Sequence, residues 1–430
     1  MIFSGCSTRF AEGQVSKSPI YRDLPECRVA KESSALNYVQ PLAQVATTVA
    51  HIAPLAEAVP AVAPLAHKVD SAANQVSKVA RRLTEAQAQF NKQVASIRKK
   101  AQPYWGEKAE VPSRYSYVRY EKDFKARSII NFETQEVTIE TTDTSNPIRT
   151  LQEVIASSLL SPENPEDVDI FSSRNTTHVG VPFLYKRVKD QDNRAIRWEW
   201  RANRYAKYLI ENSLKKENIK VDGARKVKYY VKFKMEQSRY VKPSSSEPLI
   251  SDADLETSSS DTNYASIVHK QANRFGLEPA LIFALIETES HFNPFATSAI
   301  PAYGLMQVVP TSAGRDAWEF LYSAKGQPTR EYLFNAKKNI EMGSVYMHIL
   351  QKRYLAKVTN PKNLELCAIA AYNTGSGNVL RSFHSSRNEA FNMINRLSPD
   401  ALYAHLRKKL PYKETRDYIK KVTEAKERYL

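Results

Sequence analysis

The sequence has few cysteines, no long apolar run and comparatively few acidic residues, and each shortage narrows the class of protein. Only three cysteines occur in 430 residues, so no disulfide framework is predicted. There is no run of about eighteen apolar residues, so we expect no transmembrane helix. Asp and Glu total 46 against 62 Lys and Arg, which gives a formal net charge of +16. Such a protein favours polyanionic surfaces, and nucleic acid, anionic cell-wall polymer and lipid headgroups all fit that description.

The segment 279–290 combines a strong helix signal with an unusually placed acidic residue. Pro279 suits a first helical position, because that position needs no N–H donor and proline fixes a helical φ. At about 100° per residue, four aliphatic side chains form one apolar stripe: Leu281, Ile282, Leu285 and Ile286. Glu289 falls near the centre of this stripe, whereas Glu287 points to the opposite side.

A carboxylate on a core-facing stripe is costly to ionise, because burial disfavours the charged form and raises the pKa. That environment suits a general acid working near neutral pH. The alternative is that Glu289 ends the helix with its carboxylate in water, or pairs with an arginine. Periodicity alone leaves both interpretations open.

Three short motifs follow one another in this region: E-S-H-F-N-P at 289–294, G-L-M-Q at 304–307 and A-Y-N-T-G at 371–375. Together they resemble the E-S-x-F-x-P, G-L-M-Q and A-Y-N-x-G series of lytic transglycosylases. Residues 117–141 and 325–343 also resemble the membrane-bound lytic murein transglycosylase C family. The resemblance extends from about residue 104 to the C-terminus and leaves the first hundred residues without a counterpart.

The resemblance implies a reaction with one acid/base residue. Glu289 would protonate the oxygen of the MurNAc–GlcNAc β-1,4 bond and then take the proton of the C6 hydroxyl of the same MurNAc, which attacks C1. The product would be a 1,6-anhydro-MurNAc end, and neither water, metal nor cofactor would take part. Seven further residues would bind or position the substrate: Ser290, Gly304, Met306, Gln307, Tyr372, Asn373 and Tyr418. Among these, Gln307 would contact an N-acetyl group or hydroxyl, and Gly304 would let the backbone approach the glycan closely.

Two other functions remain open. Glycosidases with two carboxylates need a second acid across the scissile bond, and Asp316, Glu319 and Glu331 are candidates, although none lies in a motif of the family. A muramidase that uses water on the same fold is therefore one alternative. A non-catalytic peptidoglycan-binding or scaffolding lipoprotein is the other. Thr374 replaces the commoner glycine of the third motif, which leaves the geometry of that loop open.

Composition divides the chain into five segments. Residues 1–35 form a polar tether, 36–102 an Ala/Pro-rich segment and a heptad helix that acts as a spacer, and 103–242 a basic α+β domain. Residues 243–261 are a serine-rich linker, and 262–430 form the catalytic domain. The predicted fold is thus multidomain, with an N-terminal helical stalk, an α+β middle domain and an all-α, lysozyme-like catalytic domain at the C-terminus.

Apolar residues recur every seven positions before the middle domain, at Val69, Val76, Leu83, Phe90 and Ile97. This pattern is typical of a coiled-coil seam, and about four repeats give a helix of roughly 50 Å. We weigh two interpretations equally: a spacer that could self-associate, and an amphipathic helix that lies on its own domain. The helix is expected to end before Pro103.

In the middle domain we predict strands at 127–132, 137–140 and 227–235 and helices from Pro147 and at 201–214. Residues 181–242 contain 18 Lys and Arg against 7 Asp and Glu. Aromatic residues are interleaved with them: Tyr185, Trp198, Trp200, Tyr205, Tyr208 and Tyr230. A glycan-stacking surface fits this composition, and so does a solvated basic face. No nucleic-acid partner is expected, because none of the usual fold motifs occurs. If the face binds glycan, lysines on it would contribute: Lys226, Lys228, Lys232 and Lys234.

Each cysteine has a separate interpretation. Cys367 lies in an apolar helical run and is expected to be an inert core residue, and Cys27 has no assigned role. Cys6 ends a Phe-Ser-Gly-Cys sequence that resembles a bacterial lipobox, although no charged and apolar signal regions precede it here. The family resemblance implies lipidation at Cys6 and a place at the outer membrane, facing the periplasm. The expected partners are peptidoglycan glycan strands and the membrane.

Overall fold

The structure, a computed structural model, describes Arg81, Glu85 and residues 88–162, 181–236, 264–298 and 300–430. By its internal contacts the chain divides into two compact units, Met1–Ala88 and Gln89–Leu430. The predicted tether, Cys6, Cys27, the first heptads and the linker 243–261 lie outside the described residues. No helix in the described ranges has both the length and the apolar content needed to span a membrane.

Helix α1 (88–105) runs through Pro103, so the predicted end before that proline is wrong. A proline inside a helix costs about 3 kcal/mol, because one hydrogen bond is lost and the ring crowds the preceding turn. Burial of Trp105 offsets this cost: its side chain is fully buried and its Nε1–H donates to the Phe124 carbonyl at 2.6 Å. Ile97, a heptad residue, packs on the chain's own sheet. For this part of the repeat, the structure therefore favours the amphipathic-helix interpretation.

The middle domain contains a five-stranded antiparallel sheet in the order β1-β2-β3-β5-β4. Its strands are β1 (Ser116–Glu121), β2 (Ala126–Asn131), β3 (Glu136–Thr141), β4 (Lys215–Val221) and β5 (Ala224–Lys234). The three predicted strands are found as β2, β3 and β5, whereas β1 and β4 were not predicted. Ile130 pairs with Val137 and Ile139 with Val231, so apolar side chains align across three strands on one face.

Helices cover both faces of this sheet. On one face lie α2 (Pro147–Leu159) and α3 (Glu199–Ser213), and on the other lies α1, against Val118 and Ile219. Helix α2 begins as predicted, since the Asn146 side chain accepts the Arg149 N–H and proline occupies the first turn. Four of its apolar side chains are buried against the sheet: Leu151, Val154, Ile155 and Leu159. The expectation of a sheet domain in the middle of the chain is confirmed.

A buried ionic network lies on the α1 side of the sheet. Glu140 accepts from Arg127 Nε at 2.7 Å and from Lys228 Nζ at 2.5 Å, and the Arg127 guanidinium stacks 4.0 Å from the Trp105 ring centroid. Burial alone would raise the pKa of Glu140, but Arg127 and Lys228 hold it below its ordinary value. Lys228 is therefore committed to a buried ion pair, and its predicted place on an exposed basic face is wrong.

The C-terminal part is helical, with strand pairing among its described residues confined to isolated bridges near Tyr303. Its helices are α4 (Ala265–Phe275), α5 (Pro279–Ser290), α6 (Arg315–Tyr322), α7 (Arg330–Phe334), α8 (Ala336–Ile349), α9 (Pro361–Thr374), α10 (Ser376–Arg381), α11 (Arg387–Arg396), α12 (Pro399–Lys409) and α13 (Lys413–Tyr429). Two π-helical turns, Pro310–Gly314 and Leu350–Tyr354, precede α6 and follow α8. Helix α4 has Tyr264 as its N-cap and ends at Gly276, which has a left-handed φ of 63°.

Helix α5 has the predicted bounds and lies in the centre of the helical core. Both its faces are buried, including Ala280, Phe283 and Ala284, so the apolar surface extends around the helix beyond the single predicted stripe. Helix α13 packs along it and covers the face that contains Glu289. Cys367 is buried in the same core, and burial raises the pKa of its thiol to about 12, as expected of an inert residue.

Candidate active site

Glu289 is a buried carboxylic acid with one hydroxyl donor. Only 4% of its surface is exposed, and the Tyr418 hydroxyl donates to its Oε1 at 2.8 Å. Burial raises the pKa of the Glu289 carboxyl above its ordinary value, and the charge of Arg114 and the Tyr418 hydrogen bond partly oppose that increase. Among the described residues, Glu289 has no ion-pair partner within 4.0 Å. It is thus neither splayed into solvent nor neutralised by an arginine.

The neighbouring acid on the same helix is held quite differently. Glu287 accepts hydrogen bonds from Arg428 and from the Tyr429 hydroxyl, both at the end of α13. Its charge is therefore balanced by a guanidinium at the protein surface. Both glutamates are therefore contacted from α13, but only Glu289 is left as an unneutralised buried acid on α5.

Helix α13 presents several polar groups to the Glu289 region from one face. Tyr418 and Glu414 are four residues apart, and Thr415 lies between them on the same side of the helix. The Thr415 hydroxyl donates to Asn373 Oδ1 at 2.7 Å. Asn373 is thereby fixed beside the helix that positions Tyr418, which brings the third motif next to the C-terminal tyrosine.

The G-L-M-Q segment is joined to both neighbouring motifs through its backbone. The Ser290 hydroxyl donates to the Leu305 carbonyl at 2.8 Å, and the Tyr372 hydroxyl donates to the Met306 carbonyl at 2.9 Å. Burial, and then the nearby Glu289 charge, raise the pKa of Tyr372 well above its ordinary value. The side chains of Ser290 and Tyr372 therefore hold the loop against α5 and α9.

Asn339, on α8, organises the same loop from the other side. Its side chain accepts the Met306 N–H at 2.8 Å and donates to the carbonyls of Tyr303 and Leu333. Gly304 has φ +75, and a Cβ at that position would lie 2.3 Å from Asn339 Nδ2 and from the Leu333 carbonyl oxygen. The glycine is thus required by close packing inside the protein, which accounts for it without the predicted approach of a glycan. Met306 is likewise a packing residue, since its side chain fills the space beside Gly343.

Gln307 has a left-handed backbone conformation, and among the described residues only the nitrogen of its side-chain amide has hydrogen-bond partners. Its φ is 46°, and its Nε2 donates to the carbonyls of Ala296 and Gly304 at 3.0 and 3.1 Å. Its Oε1 is buried and has no hydrogen-bond partner within the described part of the chain. An unpartnered buried acceptor is costly unless a ligand or water supplies a donor. The predicted contact with an N-acetyl N–H is chemically compatible with this geometry.

The middle domain reaches the same region, which the sequence did not indicate. The Tyr115 hydroxyl donates to the Thr288 carbonyl at 3.3 Å, and Asn293 Nδ2 donates to the Arg114 carbonyl at 3.1 Å. Arg114 Nη1 lies 4.0 Å from Glu414 Oε1. No periodicity or motif distinguishes the segment around Arg114, so nothing in the sequence alone could have identified it.

Of the three candidates for a second acid, two have other partners and the third is exposed. Asp316 accepts from the Tyr354 hydroxyl at 2.8 Å, Glu331 pairs with Arg330 at 2.9 Å, and Glu319 is exposed on α6. None of the three contributes to the electrostatic environment of Glu289. Within the described ranges, no group of three or more His, Cys, Asp or Glu side chains is arranged to hold a metal ion.

Comparison with known proteins identifies the family. The sequence model described as membrane-bound lytic murein transglycosylase C, N-terminal domain, matches residues 83–244, and the one described as transglycosylase SLT domain matches residues 266–395. Proteins named membrane-bound lytic murein transglycosylase C from Yersinia pestis and Yersinia pseudotuberculosis are 37% identical over 314 residues, which is 73% of this chain and 82% of each relative. The chain belongs to this family. The predicted family and the predicted class of enzyme, a lytic transglycosylase, are confirmed, and a purely scaffolding protein is not favoured.

Two solved structures are also similar to part of this family member. One is an inactive mutant of lytic transglycosylase Slt from Pseudomonas aeruginosa, with 24% identity and a TM-score of 0.30 over 38% of this chain and 23% of that one. The other is the 70 kDa soluble lytic transglycosylase from Escherichia coli, with 25% identity and a TM-score of 0.31 over 39% and 24% of the two chains.

The basic aromatic region of this transglycosylase is smaller than predicted. Tyr205 is buried, whereas Trp198 and Trp200 are 60% and 57% exposed and each lies beside an arginine, Arg197 or Arg201. The lysines of β5 are mostly engaged by the chain itself: Lys226 donates to the Pro103 carbonyl, and Lys232 and Lys234 both pair with Glu136. Among the predicted aromatic residues, Trp198, Trp200 and Tyr208 are exposed, the last by 41%, and Tyr185 and Tyr230 are half-buried.

Proposed function

We propose that this chain cleaves the MurNAc–GlcNAc β-1,4 bond of peptidoglycan without hydrolysis and that Glu289 is its single acid/base residue. The observation that carries the proposal is the environment of Glu289: a buried carboxyl, raised in pKa by burial and hydrogen-bonded by Tyr418, with no ion-pair partner among the described residues. Such a group is protonated more readily near neutral pH than an ordinary glutamate, which is what a proton donor to a glycosidic oxygen requires.

The proposed reaction has two proton transfers through the same carboxyl. Glu289 gives its proton to the GlcNAc O4 as the C1–O4 bond breaks, and it becomes a carboxylate. That carboxylate takes the proton of the MurNAc C6 hydroxyl, whose oxygen forms the new bond to C1. The sugar supplies its own nucleophile, so no second acid is needed, in keeping with the separate engagements of Asp316 and Glu331.

The remaining motif residues have supporting roles in this proposal. Gln307 Oε1 would accept from an N-acetyl N–H, because it is buried and lacks a partner in the described structure. Tyr418 would stabilise the carboxylate form of Glu289. Ser290, Gly304, Met306, Tyr372 and Asn373 would hold the loops that place these two groups, through the contacts described above.

A comparison of two isosteric variants on one helix tests the proposal. Glu289→Gln should abolish release of soluble muropeptides from purified sacculi, and mass spectrometry of the wild-type products should find 1,6-anhydro ends. Glu287→Gln is the matched control, because it removes a carboxylate two positions away that pairs with Arg428. Its activity should stay near that of the wild type. Reducing ends in place of anhydro ends would make the enzyme a hydrolase, and undiminished release by Glu289→Gln would remove the assigned role.

The architecture around this activity is also part of the proposal. We infer that the functional divisions are 1–35, 36–102, 103–242, 243–261 and 262–430, and that the last has a lysozyme-like fold. Lipidation of Cys6 would anchor the chain to the outer membrane on its periplasmic side. The sequence match to proteins named membrane-bound supports membrane association. If the proposal is right, Cys6→Ala will move the protein from the membrane fraction to the soluble fraction; equal fractionation of the two would refute it.

Two interactions complete the proposal. The exposed Trp198 and Trp200, each beside an arginine, would stack on sugar rings of the glycan strand. The double variant Trp198→Ala/Trp200→Ala should then bind sacculi more weakly at every salt concentration, and unchanged binding would exclude this surface. Self-association through the heptad helix would appear in analytical ultracentrifugation as a dimer that is lost when residues 1–88 are removed; a monomer with those residues present would exclude it.

A further inference from the structure

Glu289 lies at a boundary between two domains, and the charged groups that face it come from both. Helix α9 and helix α13 supply tyrosines and one glutamate, and the segment before β1 supplies an arginine and a tyrosine. The titratable groups that interact with the Glu289 charge are Arg114, Tyr115, Tyr372, Glu414 and Tyr418. Arg114 is the one cation in this set.

Arg114 is held in place by contacts that leave its guanidinium directed at this cluster. Its carbonyl accepts from Asn293 Nδ2 at 3.1 Å, and Asn293 lies four residues after Glu289. The adjacent Tyr115 donates to the carbonyl of Thr288, the residue before Glu289, and its ring meets the His291 ring edge-on at 4.8 Å. The Ser113 carbonyl accepts a hydrogen bond from the Thr297 N–H at 3.4 Å. Residues 113–115 therefore contact the chain at the end of α5 and just after it.

The guanidinium itself lies near the acidic face of α13. Its Nη1 is 4.0 Å from Glu414 Oε1, and Glu414 stands one helical turn before Tyr418, the residue that donates to Glu289. The Arg114 side chain is 29% exposed, so its charge is only partly screened by solvent. Its positive charge also acts on the buried Glu289 carboxyl and favours the ionised form of that carboxyl.

We propose that Arg114, supplied by the middle domain, is a positioning residue that stabilises the carboxylate formed when Glu289 gives up its proton. This inference rests on the proposed function, because it assigns Arg114 a part in the proton cycle of Glu289. The middle domain then takes part in the reaction. The helical domain supplies the acid, Glu289, and the middle domain supplies the cation that stabilises the carboxylate of Glu289 after the proton has left. Glu414, whose Oε1 lies 4.0 Å from Arg114 Nη1, has the opposite effect on Glu289, because its negative charge raises the pKa of that carboxyl.

The pH dependence of kcat/KM separates this role from a merely structural one. The alkaline limb reports loss of the Glu289 proton in the free enzyme. Arg114→Gln removes the cation, so the pKa of Glu289 should increase and the alkaline limb should move to higher pH. The reduction in kcat should be on the order of tenfold, because the carboxylate is then less stable. Arg114→Lys keeps the charge and should retain the limb of the wild type, and Glu414→Gln should move it to lower pH.

Controls keep the outcomes distinct. Arg274→Gln removes another arginine that is paired with a glutamate, Glu341, and it should leave the profile unchanged. Thermal unfolding of each variant shows whether it is folded. If Arg114→Gln lowers activity equally at all pH values without moving the limb, the inference is overturned while the role of Glu289 stands. If Glu289→Gln is fully active, the proposed function itself fails, whatever Arg114 does.

Discussion

Removing a single hydroxyl from Tyr418 tests whether the carboxylate of Glu289 is stabilised during the reaction. Tyr418→Phe deletes the donor at 2.8 Å and keeps the ring that packs on α5. A hydrogen bond to a charged group contributes about 1.5–3 kcal/mol. If Glu289 starts protonated and becomes ionised as the glycosidic bond breaks, that loss falls on the transition state. At about 1.36 kcal/mol per tenfold change, kcat should decrease by roughly 10- to 150-fold.

The assay is the rate of muropeptide release from sacculi, measured over a range of pH. Because the Tyr418 hydrogen bond lowers the pKa of Glu289, its removal should also move the alkaline limb of kcat/KM to higher pH. Tyr429→Phe is the matched control, since that hydroxyl donates to Glu287, on the same helix and from the same partner helix. Its kcat should be close to that of the wild type. Equal losses in the two variants, or no loss in Tyr418→Phe, would refute the reasoning.

Three further changes test the stability side of the same structure. Burial raises the pKa of Glu289, so the stability that its protonated form provides is complete below the unfolded-state pKa and is lost as pH rises through the folded-state pKa. Glu289→Gln should therefore be more stable than the wild type at neutral and alkaline pH in urea unfolding, and this advantage should shrink towards about pH 4; a pH-independent difference would contradict it. Glu140→Gln removes the buried anion that Arg127 and Lys228 share and leaves them only the partly exposed Glu110, at 3.7 Å, and Glu217, at 3.1 Å. It should lower the free energy of unfolding by roughly 3 kcal/mol, against about 0–1 kcal/mol for the exposed Lys232→Gln. Gly304→Ala should destabilise the protein more than Gly276→Ala, because both glycines have positive φ but only Gly304 is crowded, and similar thermal shifts would count against that packing role.

Local signals were sufficient for much of the fold. The Asn146 cap and the proline after it define the start of α2, and Pro279 does the same for α5. The alternating residues of β5 likewise predict a strand without reference to the rest of the chain. The prediction that α1 ends before Pro103 is wrong for a reason that the local sequence does not show. The helix continues because Trp105 is buried against the sheet, and the stabilisation from that burial outweighs the cost of the proline.

The candidate site was predictable only where a motif marked it. Periodicity placed Glu289 on an apolar stripe, but it could not exclude an ion pair with an arginine. Tyr418 lies 129 residues further along the chain, and only the resemblance to a family pointed to it. Arg114 is 179 residues from Asn293, its backbone partner, and no motif marks it. Contacts across such separations depend on how two domains pack, which composition and spacing do not determine.

Helix α5 carries two glutamates with different roles: Glu287 forms a structural ion pair, and Glu289 is the proposed acid/base residue. Both residues are glutamates, two positions apart, and both receive a tyrosine hydroxyl from α13. Glu287 also receives the Arg428 guanidinium, so its charge is neutralised where it stands. Glu289 has no ion-pair partner within 4.0 Å among the described residues; Arg114 acts on it only as a nearby charge, and burial is the largest influence on its pKa. If this account holds, the difference between the two acids lies in which arginine each can reach, and the middle domain controls that for the catalytic one.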